Sequence, residues 1–498
     1  MSDDAAFLTF VRKAIDVGGA SLKDLIAMGV RSAAAGGGVK TGDRVPSTRA
    51  LAAALAVSPV TVSAAYRQLL AEGLLRSHVG RGTFVEAVTE VAPSAGVERD
   101  TVPILLAENP GARVRLVSRW LAAVDRKTGI NLLGGYSDTA LPPAQGYLKH
   151  LTGQLRRHPE VALEFARGLG DGTAREAVSL FAARHLGVDV RPEHIFVGTS
   201  AHQFLDAITR TFLEPGDVVI CEAPTFYSAL DLFAIAGLKV VPIPSDEDGI
   251  NPAALERALL AHRSKLIYLT GSPSNPRGKC PPLARQQQIL DLAHRHQALV
   301  IEDSSLFPYW FERRPVQLKS LDRAGQVILL CSFSKLLFSG LRLAAAVASP
   351  LVARRLGDAL QSYWRIGAVL PQRALASYIQ SERMATDLNS ARLTYLQRRN
   401  VLVEALGKCM DAPVQAIPDG GLTLWLDLPP GVSGESVCER LVAEGIHALP
   451  AEIFLPAQGG TDGLRLSYAQ ASEADLRRAA PVIARTIRAL AAEAGQGR

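Results

Sequence analysis

A lysine flanked by hydroxyl groups and followed by an arginine is the clearest chemical signal in the sequence. Lys335 ends the segment Cys331-Ser332-Phe333-Ser334-Lys335, and Arg342 follows seven residues later. The segment comes directly after an apolar run, Val327 to Leu330, which is typical of a buried strand. An amine at the end of a strand can form an imine, and the hydroxyls and the guanidinium can hold a phosphate. Lys335 alone would be an ordinary surface lysine.

Three more residues, Phe226, Asn275 and Asp303, follow apolar runs in the same way, and a fourth, Arg465, lies in the segment Gly463 to Tyr468 near the C-terminus. A buried carboxylate at Asp303 would keep a pyridine nitrogen protonated, Asn275 can donate to a phenolic oxygen, and Phe226 can stack on a ring. Arg465 offers a bidentate grip on a carboxylate. Each of the first three has an ordinary alternative: Phe226 as a core aromatic, Asn275 as a turn residue and Asp303 as a helix cap. Together with Lys335, they match the requirements of pyridoxal phosphate.

These residues need a sheet whose strands end at one edge. From about Gly129 onward, short apolar runs alternate with longer amphipathic segments. The runs are HIFVGTS, DVVICEAP, KVVPIP, KLIYLTGSP, ALVIEDSS and QVILLCSFS. Unbroken apolar runs are typical of buried parallel strands, and such sheets bind ligands at the carboxyl ends of the strands. The pattern therefore predicts an α/β domain with a mostly parallel central sheet.

A different pattern near the N-terminus indicates DNA binding. Ser47 is placed to cap a short helix, and Ser58 caps a second one with Pro59 at its first position. The second helix has an apolar face formed by Val62, Tyr66, Leu69 and Leu70. Its outward residues are Thr61, Ser63, Ala64 and Arg67. Two short helices joined by a short turn make a helix-turn-helix.

A hairpin with a Gly-Arg-Gly tip follows these helices. Its Arg76, His78, Gly80 and Arg81 can approach phosphates or the minor groove. Any one of these arginines is most simply a solvated surface charge, whereas the ordered set of cap, turn, second helix and basic hairpin indicates a DNA-binding module. The net charge of +6 agrees with nucleic-acid binding without establishing it.

Composition and length limit the class of protein. The five cysteines are widely spaced and form no C-x-x-C pair, which argues against a zinc module and a disulfide framework and favours a reduced cytosolic compartment. Without a long apolar run or a secretory signal, we expect a cytoplasmic protein with no membrane segment. We expect a DNA-binding domain over residues 1–86 with its core at about 20–86, and a linker over 87–127 with local helix around Leu116 to Val124. A large domain should follow over 128–498.

The N-terminal motifs resemble the winged helix-turn-helix of GntR-type regulators. The match runs through GDRVPSTRALA, VSPVTVSAAYRQL, AEGLL and GRGTFV. It implies that Arg49 and the start of the second helix contact DNA. Pro59 stands where the family usually carries an arginine that touches the operator, and Ala56 replaces a glycine common in the turn. The first departure bears on recognition and leaves the fold intact.

The large domain resembles fold-type I, aminotransferase-like proteins over roughly residues 128 to 490, through its S-F-S-K…R and N-P-x-G elements. The resemblance implies that Lys335 forms the imine with pyridoxal phosphate, Asp303 pairs with the ring nitrogen, Asn275 meets the ring oxygen, and Phe226 stacks. The phosphate would be held by Ser332, Ser334, Arg342 and the backbone amides of Ala201 and His202 at a helix start. Arg465 would receive an amino-acid carboxylate.

Both halves in one chain resemble the MocR subgroup of GntR regulators, which implies a head-to-tail homodimer in which each large domain helps build its partner's site. We therefore expect a pyridoxal-phosphate-binding regulator of double-stranded operator DNA that responds to an amino acid or a vitamin B6-type effector. One alternative is an aminotransferase with an accessory DNA-binding domain. Another is a cofactor-free regulator that uses the large domain for dimerisation.

Three departures bear on catalysis. The family usually reads Glu-Asp-Asp-x-Tyr or Glu-Asp-Asp-Tyr, with the tyrosine hydroxyl on the ring oxygen. This chain reads Glu302-Asp303-Ser304-Ser305-Leu306 and lacks that phenol. His202 stands where glutamine is common, and Ala344 replaces a glycine. These changes affect efficient transamination more than cofactor binding, because the lysine, the aspartate and the phosphate ligands remain.

Overall fold

A computed structural model describes residues 3–17, 21–35, 38–78, 80–86, 117–120, 129–166, 168–363, 367–456 and 462–496. The chain divides into two compact units, Met1–Leu106 and Ala107–Arg498. The expected linker over 87–127 lies outside the described residues, except for a short helical segment at 117–120.

The described part of the N-terminal unit contains four helices and one hairpin. The elements are α1 (Asp3–Val17), α2 (Leu22–Ala35), α3 (Thr48–Leu55), α4 (Pro59–Ala71), β1 (Leu75–His78) and β2 (Gly82–Val85). The Ser47 and Ser58 hydroxyls cap α3 and α4 by accepting hydrogen bonds from backbone amides at 3.2 Å. Ala56 ends α3 in the left-handed region, with φ of 55°. The predicted helix-turn-helix and its following hairpin are therefore confirmed.

The core of the N-terminal unit is formed by all four helices and the β1–β2 hairpin. Val62, Tyr66 and Leu69 are buried, as predicted, whereas Leu70 is only partly buried. Phe7 and Val11 of α1 are also fully buried in this core. They are one helical turn apart on a single apolar face. The core therefore begins upstream of residue 20, the position at which the sequence pattern had placed its start.

The large unit contains the remaining elements. Its helices are α5 (Pro142–Arg157), α6 (Gly172–Phe181), α7 (Ala201–Phe212), α8 (Tyr227–Ile235), α9 (Pro252–His262), α10 (Leu283–Arg295), α11 (Leu318–Leu321), α12 (Phe333–Leu336), α13 (Pro350–Tyr363), α14 (Val369–Gln380), α15 (Glu382–Cys409), α16 (Gly434–Ala443) and α17 (Glu473–Gln496). Its strands are β3 (Ile130–Asn131), β4 (Ile195–Gly198), β5 (Val218–Ala223), β6 (Lys239–Asp246), β7 (Gly249–Ile250), β8 (Leu266–Leu269), β9 (Leu299–Asp303), β10 (Val327–Ser332), β11 (Ala344–Val347), β12 (Thr423–Asp427), β13 (Ile446–His447), β14 (Leu449–Pro450) and β15 (Gly463–Ser467).

The central sheet is mostly parallel, as predicted. Its eight strands run in the order β4-β11-β10-β9-β8-β5-β6-β7, and β11 and β7 are antiparallel to their neighbours. Neighbouring residues along one strand, such as Ile220 and Cys221, belong to different apolar clusters on the two faces. Both faces are thus covered, which explains the unbroken apolar runs. The parallel register brings the carboxyl ends of β5, β8, β9 and β10 to one edge.

Smaller sheets complete the large unit. Strands β12, β15 and β14 form an antiparallel sheet in which Arg465 pairs with Trp425 and Leu449. The helical segment at 117–120 packs on this unit, because Trp120 is buried in its core and Arg119 forms an ion pair with Glu439. Across the described ranges, none of the helices combines the length and the apolar character needed to span a bilayer.

Candidate functional site

The strand ends meet around one cavity of about 270 Å³. Its walls come from the start of α7, the end of β5, the loop after β8, the end of β9, and the segment from the end of β10 to Arg342. They include every cofactor residue predicted from the sequence: Ala201, His202, Phe226, Asn275, Asp303, Ser332, Ser334, Lys335 and Arg342. Residues spread over 142 positions of the chain therefore share one site, because each follows a strand that ends at the same edge.

Lys335 lies in the last turn of α12, directly after β10. Its Nζ donates to the carbonyl oxygen of Gly135 at 3.2 Å and lies 3.8 Å from the centre of the Tyr136 ring. Burial, reinforced by the charge of Arg465, lowers the pKa of Lys335 to about 7. A large fraction of the amine is therefore neutral near pH 7, which is the form that attacks a carbonyl group.

Asp303 ends β9 and is almost fully buried in the cavity wall. Its Oδ2 accepts a hydrogen bond from the Tyr268 hydroxyl at 3.0 Å. Its Oδ1 accepts hydrogen bonds from the backbone amide of Ser305 at 3.2 Å and from the Ser305 hydroxyl. Burial raises the pKa of Asp303, and the hydrogen bonds from Ser305 and Tyr268 oppose that rise. A carboxylate held in this way can pair with a protonated ring nitrogen.

The start of α7 provides donors for an anion. Ser200 caps the helix by accepting from the amide of Gln203 at 3.0 Å, and the amides of Ala201 and His202 lie in the first turn. Such amides have no partner within their own helix, and the helix dipole favours negative charge there. Burial lowers the pKa of His202, which favours its neutral form. This end of the cavity suits a phosphate group.

Ser334 and Arg342 also line the cavity. The buried Ser334 hydroxyl accepts a hydrogen bond from the amide of Leu343 at 3.1 Å. Arg342 is exposed and takes the left-handed conformation, with φ of 52°. A non-glycine residue in this region is strained, and such strain is concentrated at functional sites. Arg342 lines the cavity, where its charge is available to an anionic ligand.

A smaller cavity adjoins the first and contains Arg465. The two share walls at Tyr136, Phe226, Tyr227, Asn275, Leu306 and Lys335. The Arg465 side chain is buried, its Nη2 donates to the carbonyl of Leu133, and its guanidinium carbon lies 5.0 Å from the centre of the Phe454 ring. Its Nε has no hydrogen-bond partner in the described part of the chain. Burial lowers the pKa of Arg465, and within the described part of the chain the opposing influence comes from the phenols Tyr227 and Tyr136 rather than from a carboxylate group. A buried cation in this state favours an anionic ligand.

The polar groups of this cavity fit pyridoxal phosphate. The Asn275 side chain lines the cavity, and its Oδ1 acceptor is buried without a hydrogen-bond partner among the described residues. Lys335, Asp303 and the α7 amides supply the amine, the carboxylate and the anion donors that the cofactor requires.

Sequence reasoning missed seven polar residues that line this cavity: Tyr136, Ser200, Tyr227, Ser228, Thr270, Ser305 and Ser339. Tyr227 and Ser305 follow strand ends, so the rule that site residues follow the carboxyl ends of strands could have identified them. Tyr136 lies in a loop far upstream, and no spacing links it to Lys335. The cavity also bears on the missing family tyrosine. Leu306 stands in its place and forms part of the wall, and two other phenols, Tyr136 and Tyr227, line the same cavity.

The predicted DNA-contacting side chains are mostly exposed on the N-terminal unit. Those exposed are Arg49, Arg67, Arg76, His78, Gly80 and Arg81, whereas Thr61 and Ser63 are partly buried. Arg76 forms an ion pair with Glu86 at 3.4 Å, an exposed contact that is weak and easily exchanged for a phosphate. Val60, in the first turn of α4, is 72% exposed and was not singled out from the sequence.

Comparison with known proteins gives two sets of similarities. The family model for aminotransferase class I and II matches residues 161–483, and the model for bacterial regulatory proteins of the gntR family matches residues 24–85. The 2-aminoadipate transaminase of Thermus thermophilus is 32% identical over 357 residues, covering 70% of this chain and 88% of the relative. The probable rhizopine catabolism regulatory protein MocR of Rhizobium meliloti is 30% identical over 427 residues, covering 85% of this chain and 82% of the relative.

A solved structure shows the same fold for the large unit. The alpha-aminoadipate aminotransferase of Thermus thermophilus, complexed with N-(5'-phosphopyridoxyl)-L-leucine, superimposes with a TM-score of 0.69 at 28% identity. The match covers 77% of this chain and 96% of the other. The predicted DNA-binding domain and the predicted pyridoxal phosphate cofactor are thereby confirmed.

Proposed function

The chain belongs to the aminotransferase class I and II family and, with its gntR-type N-terminal domain, to the MocR subgroup of GntR regulators, and we propose that it senses an amino-acid-type effector. It is a transcriptional regulator that binds DNA through the N-terminal unit and pyridoxal phosphate through the large unit. We propose the class of effector, the roles of the individual residues and the homodimeric assembly.

The observation that carries the proposal is the buried guanidinium of Arg465 in the cavity that adjoins Lys335. An α-amino acid has an amine and a carboxylate on neighbouring atoms. Pyridoxal phosphate, when bound, supplies an electrophilic carbon that captures amines. Arg465 would receive the carboxylate, which would present the amine to the cofactor side of the cavity.

The other residues would hold the cofactor. Lys335 would carry it, Asp303 would keep its ring nitrogen protonated, and Asn275 would contact its ring oxygen. Phe226 would stack on the ring, and its exposure to the cavity supports that role. The phosphate would lie on the Ala201 and His202 amides, with Ser332, Ser334 and Arg342 around it.

On the DNA side, α4 would enter the major groove with Thr61, Ser63 and Arg67, while Arg49 and the β1–β2 hairpin would contact the backbone or the minor groove. A head-to-tail homodimer would place two such modules on one operator. The effector would act by population shift, because it must bind one dimer arrangement better than the other. Operator binding would take place in the cytoplasm.

The first test is the near-ultraviolet and visible absorption spectrum of the protein with added pyridoxal phosphate. We expect a band from the lysine-bound cofactor in the wild type and its loss in Lys335→Ala. The second test measures affinity for DNA selected from a random pool, with and without cofactor and a panel of L-amino acids. Affinity that stays constant under all these conditions would contradict the sensing role.

One observation favours a second candidate, an aminotransferase with an accessory DNA-binding domain. Lys335, Asp303 and Arg465 are all in place, and a transaminase relative is 32% identical. Conversion of an amino acid to its keto acid at ordinary enzyme rates, abolished in Lys335→Ala, would support this candidate. Turnover far below such rates, combined with effector-dependent DNA binding, would support the regulator.

A further inference from the structure

Tyr268 is a fully buried tyrosine on β8, one strand away from Asp303. Its hydroxyl donates to Asp303 Oδ2 at 3.0 Å. Its ring packs edge-on against Phe233, with 5.6 Å between ring centres. Tyr268 does not line the cavity and was not a predicted site residue. Its only polar atom is therefore directed at the carboxylate that faces the cofactor site.

The two oxygens of Asp303 are held from opposite directions. Tyr268 contacts Oδ2, while the amide and hydroxyl of Ser305 contact Oδ1. A buried carboxylate is costly unless donors replace its hydration, and such donors also fix its orientation. Since each oxygen has two lone-pair directions, one direction on Oδ2 remains for a ligand.

We propose that Tyr268 is a positioning residue for the cofactor: its hydroxyl, with Ser305, holds Asp303 ionised and in one orientation toward the ring nitrogen. This inference rests on the proposed role of Asp303 and adds a residue outside the cavity. Loss of the Tyr268 hydroxyl makes Asp303 a stronger base, which draws the shared proton away from the ring. A ring with less positive charge withdraws fewer electrons from the nitrogen that joins the cofactor to Lys335, so that nitrogen becomes more basic.

Other titratable groups surround this pair and are left unchanged by the test. Across the cavity, His202 and Lys335 face Asp303, and Cys331 approaches it from β10. Cys221 and Glu222 of β5 lie near Tyr268. Because none of these groups changes when one hydroxyl is removed, a shift between wild type and variant reports on the Tyr268 hydrogen bond.

The experiment is a pH titration of the visible band of the full-length protein loaded with pyridoxal phosphate, comparing wild type with Tyr268→Phe. We expect the midpoint to rise by up to about one pH unit, the shift that loss of a hydrogen bond to a charged group would produce if it were transmitted in full from Asp303 to the titrating nitrogen. Tyr378→Phe is the matched control. Tyr378 is also fully buried and donates to a carboxylate, Asp387, at 2.9 Å, but Asp387, unlike Asp303, does not line the cavity. Its midpoint should equal that of the wild type.

An unchanged or lowered midpoint in Tyr268→Phe would overturn the proposal, as would an equal shift in the control. If Tyr268→Phe does not fold, Ser305→Ala decides, because it removes a donor from the other oxygen and should also raise the midpoint. If the midpoint does not rise in Ser305→Ala, the proposal that Tyr268 and Ser305 together hold Asp303 is refuted as well. Wild-type protein with no visible band would instead count against the proposed function, so the two failures are distinguishable.

Discussion

Substitution of Arg465 should have opposite effects on protein stability and on ligand binding. Its side chain is 3% exposed, its Nε has no hydrogen-bond partner in the described region, and no carboxylate pairs with it. Burial of an uncompensated charge costs several kcal/mol, of which the Leu133 carbonyl and the Phe454 ring recover part. Replacement by methionine keeps much of the volume and removes the charge. We expect Arg465→Met to raise the free energy of unfolding by about 1–3 kcal/mol when no amino acid is present.

The same substitution should abolish the response to carboxylate ligands. Loss of one partner from a buried, hydrogen-bonded charge pair costs about 2–5 kcal/mol, which is roughly thirty-fold or more in affinity. The assays are denaturant unfolding of the cofactor-free protein, and spectral titration of the cofactor-loaded protein with L-alanine, L-glutamate and 2-oxoglutarate. The two readouts should move in opposite directions.

Arg399→Met serves as the control, because Arg399 is also buried but donates to the Pro418 carbonyl and pairs with Glu312. That substitution should destabilise the protein. If Arg465→Met were destabilising to the same degree, or if its ligand affinities matched the wild type, Arg465 would be a structural arginine and the proposed carboxylate site would be wrong.

Three further predictions concern other parts of the chain. Ala56→Gly should stabilise the N-terminal unit by about 1 kcal/mol, since Ala56 has φ of 55°, where alanine is strained. The gain in stability should slow the hydrogen exchange of the α3 and α4 amides, and unchanged exchange would contradict this prediction. Arg49→Ala should weaken binding to all DNA sequences and lower the salt slope of log affinity by about one; a fixed slope with lost preference for one sequence would assign Arg49 to base readout instead. For the cofactor-free protein, stability should rise with pH above about 7, because unfolded Lys335 keeps its proton up to its ordinary pKa of 10.5 while the folded form has lost it. Denaturant unfolding at several pH values should show that slope in the wild type and a smaller one in Lys335→Met; equal slopes would refute the lowered pKa.

Much of the cofactor site was predictable because its residues obey one local rule. Asn275, Asp303 and Lys335 each follow an unbroken apolar run, and parallel strands bring such positions together whatever their separation in sequence. The caps at Ser47 and Ser58 were equally local, since a cap needs only its own helix.

The features that were not predicted depend on packing between distant segments. Tyr136 reaches Lys335 only through a loop some two hundred residues upstream, a separation with no periodic signature. Tyr268 is an ordinary apolar-strand residue in sequence, and its role depends on which strand neighbours β9. Burial of Phe7 shows the same limit, because an amphipathic helix does not reveal from sequence which unit it will cover.

The lowered pKa of Lys335 also makes the cofactor a protecting group. Because burial lowers the pKa of this amine to about 7, a far larger fraction of it is uncharged near pH 7 in the cofactor-free protein than of an ordinary lysine. We therefore expect a small aldehyde that enters the cavity to react with Lys335 more readily than with an ordinary surface lysine. A cell that runs short of pyridoxal phosphate would expose this one side chain to adventitious carbonyl modification, and occupancy by the cofactor would keep the regulator chemically intact.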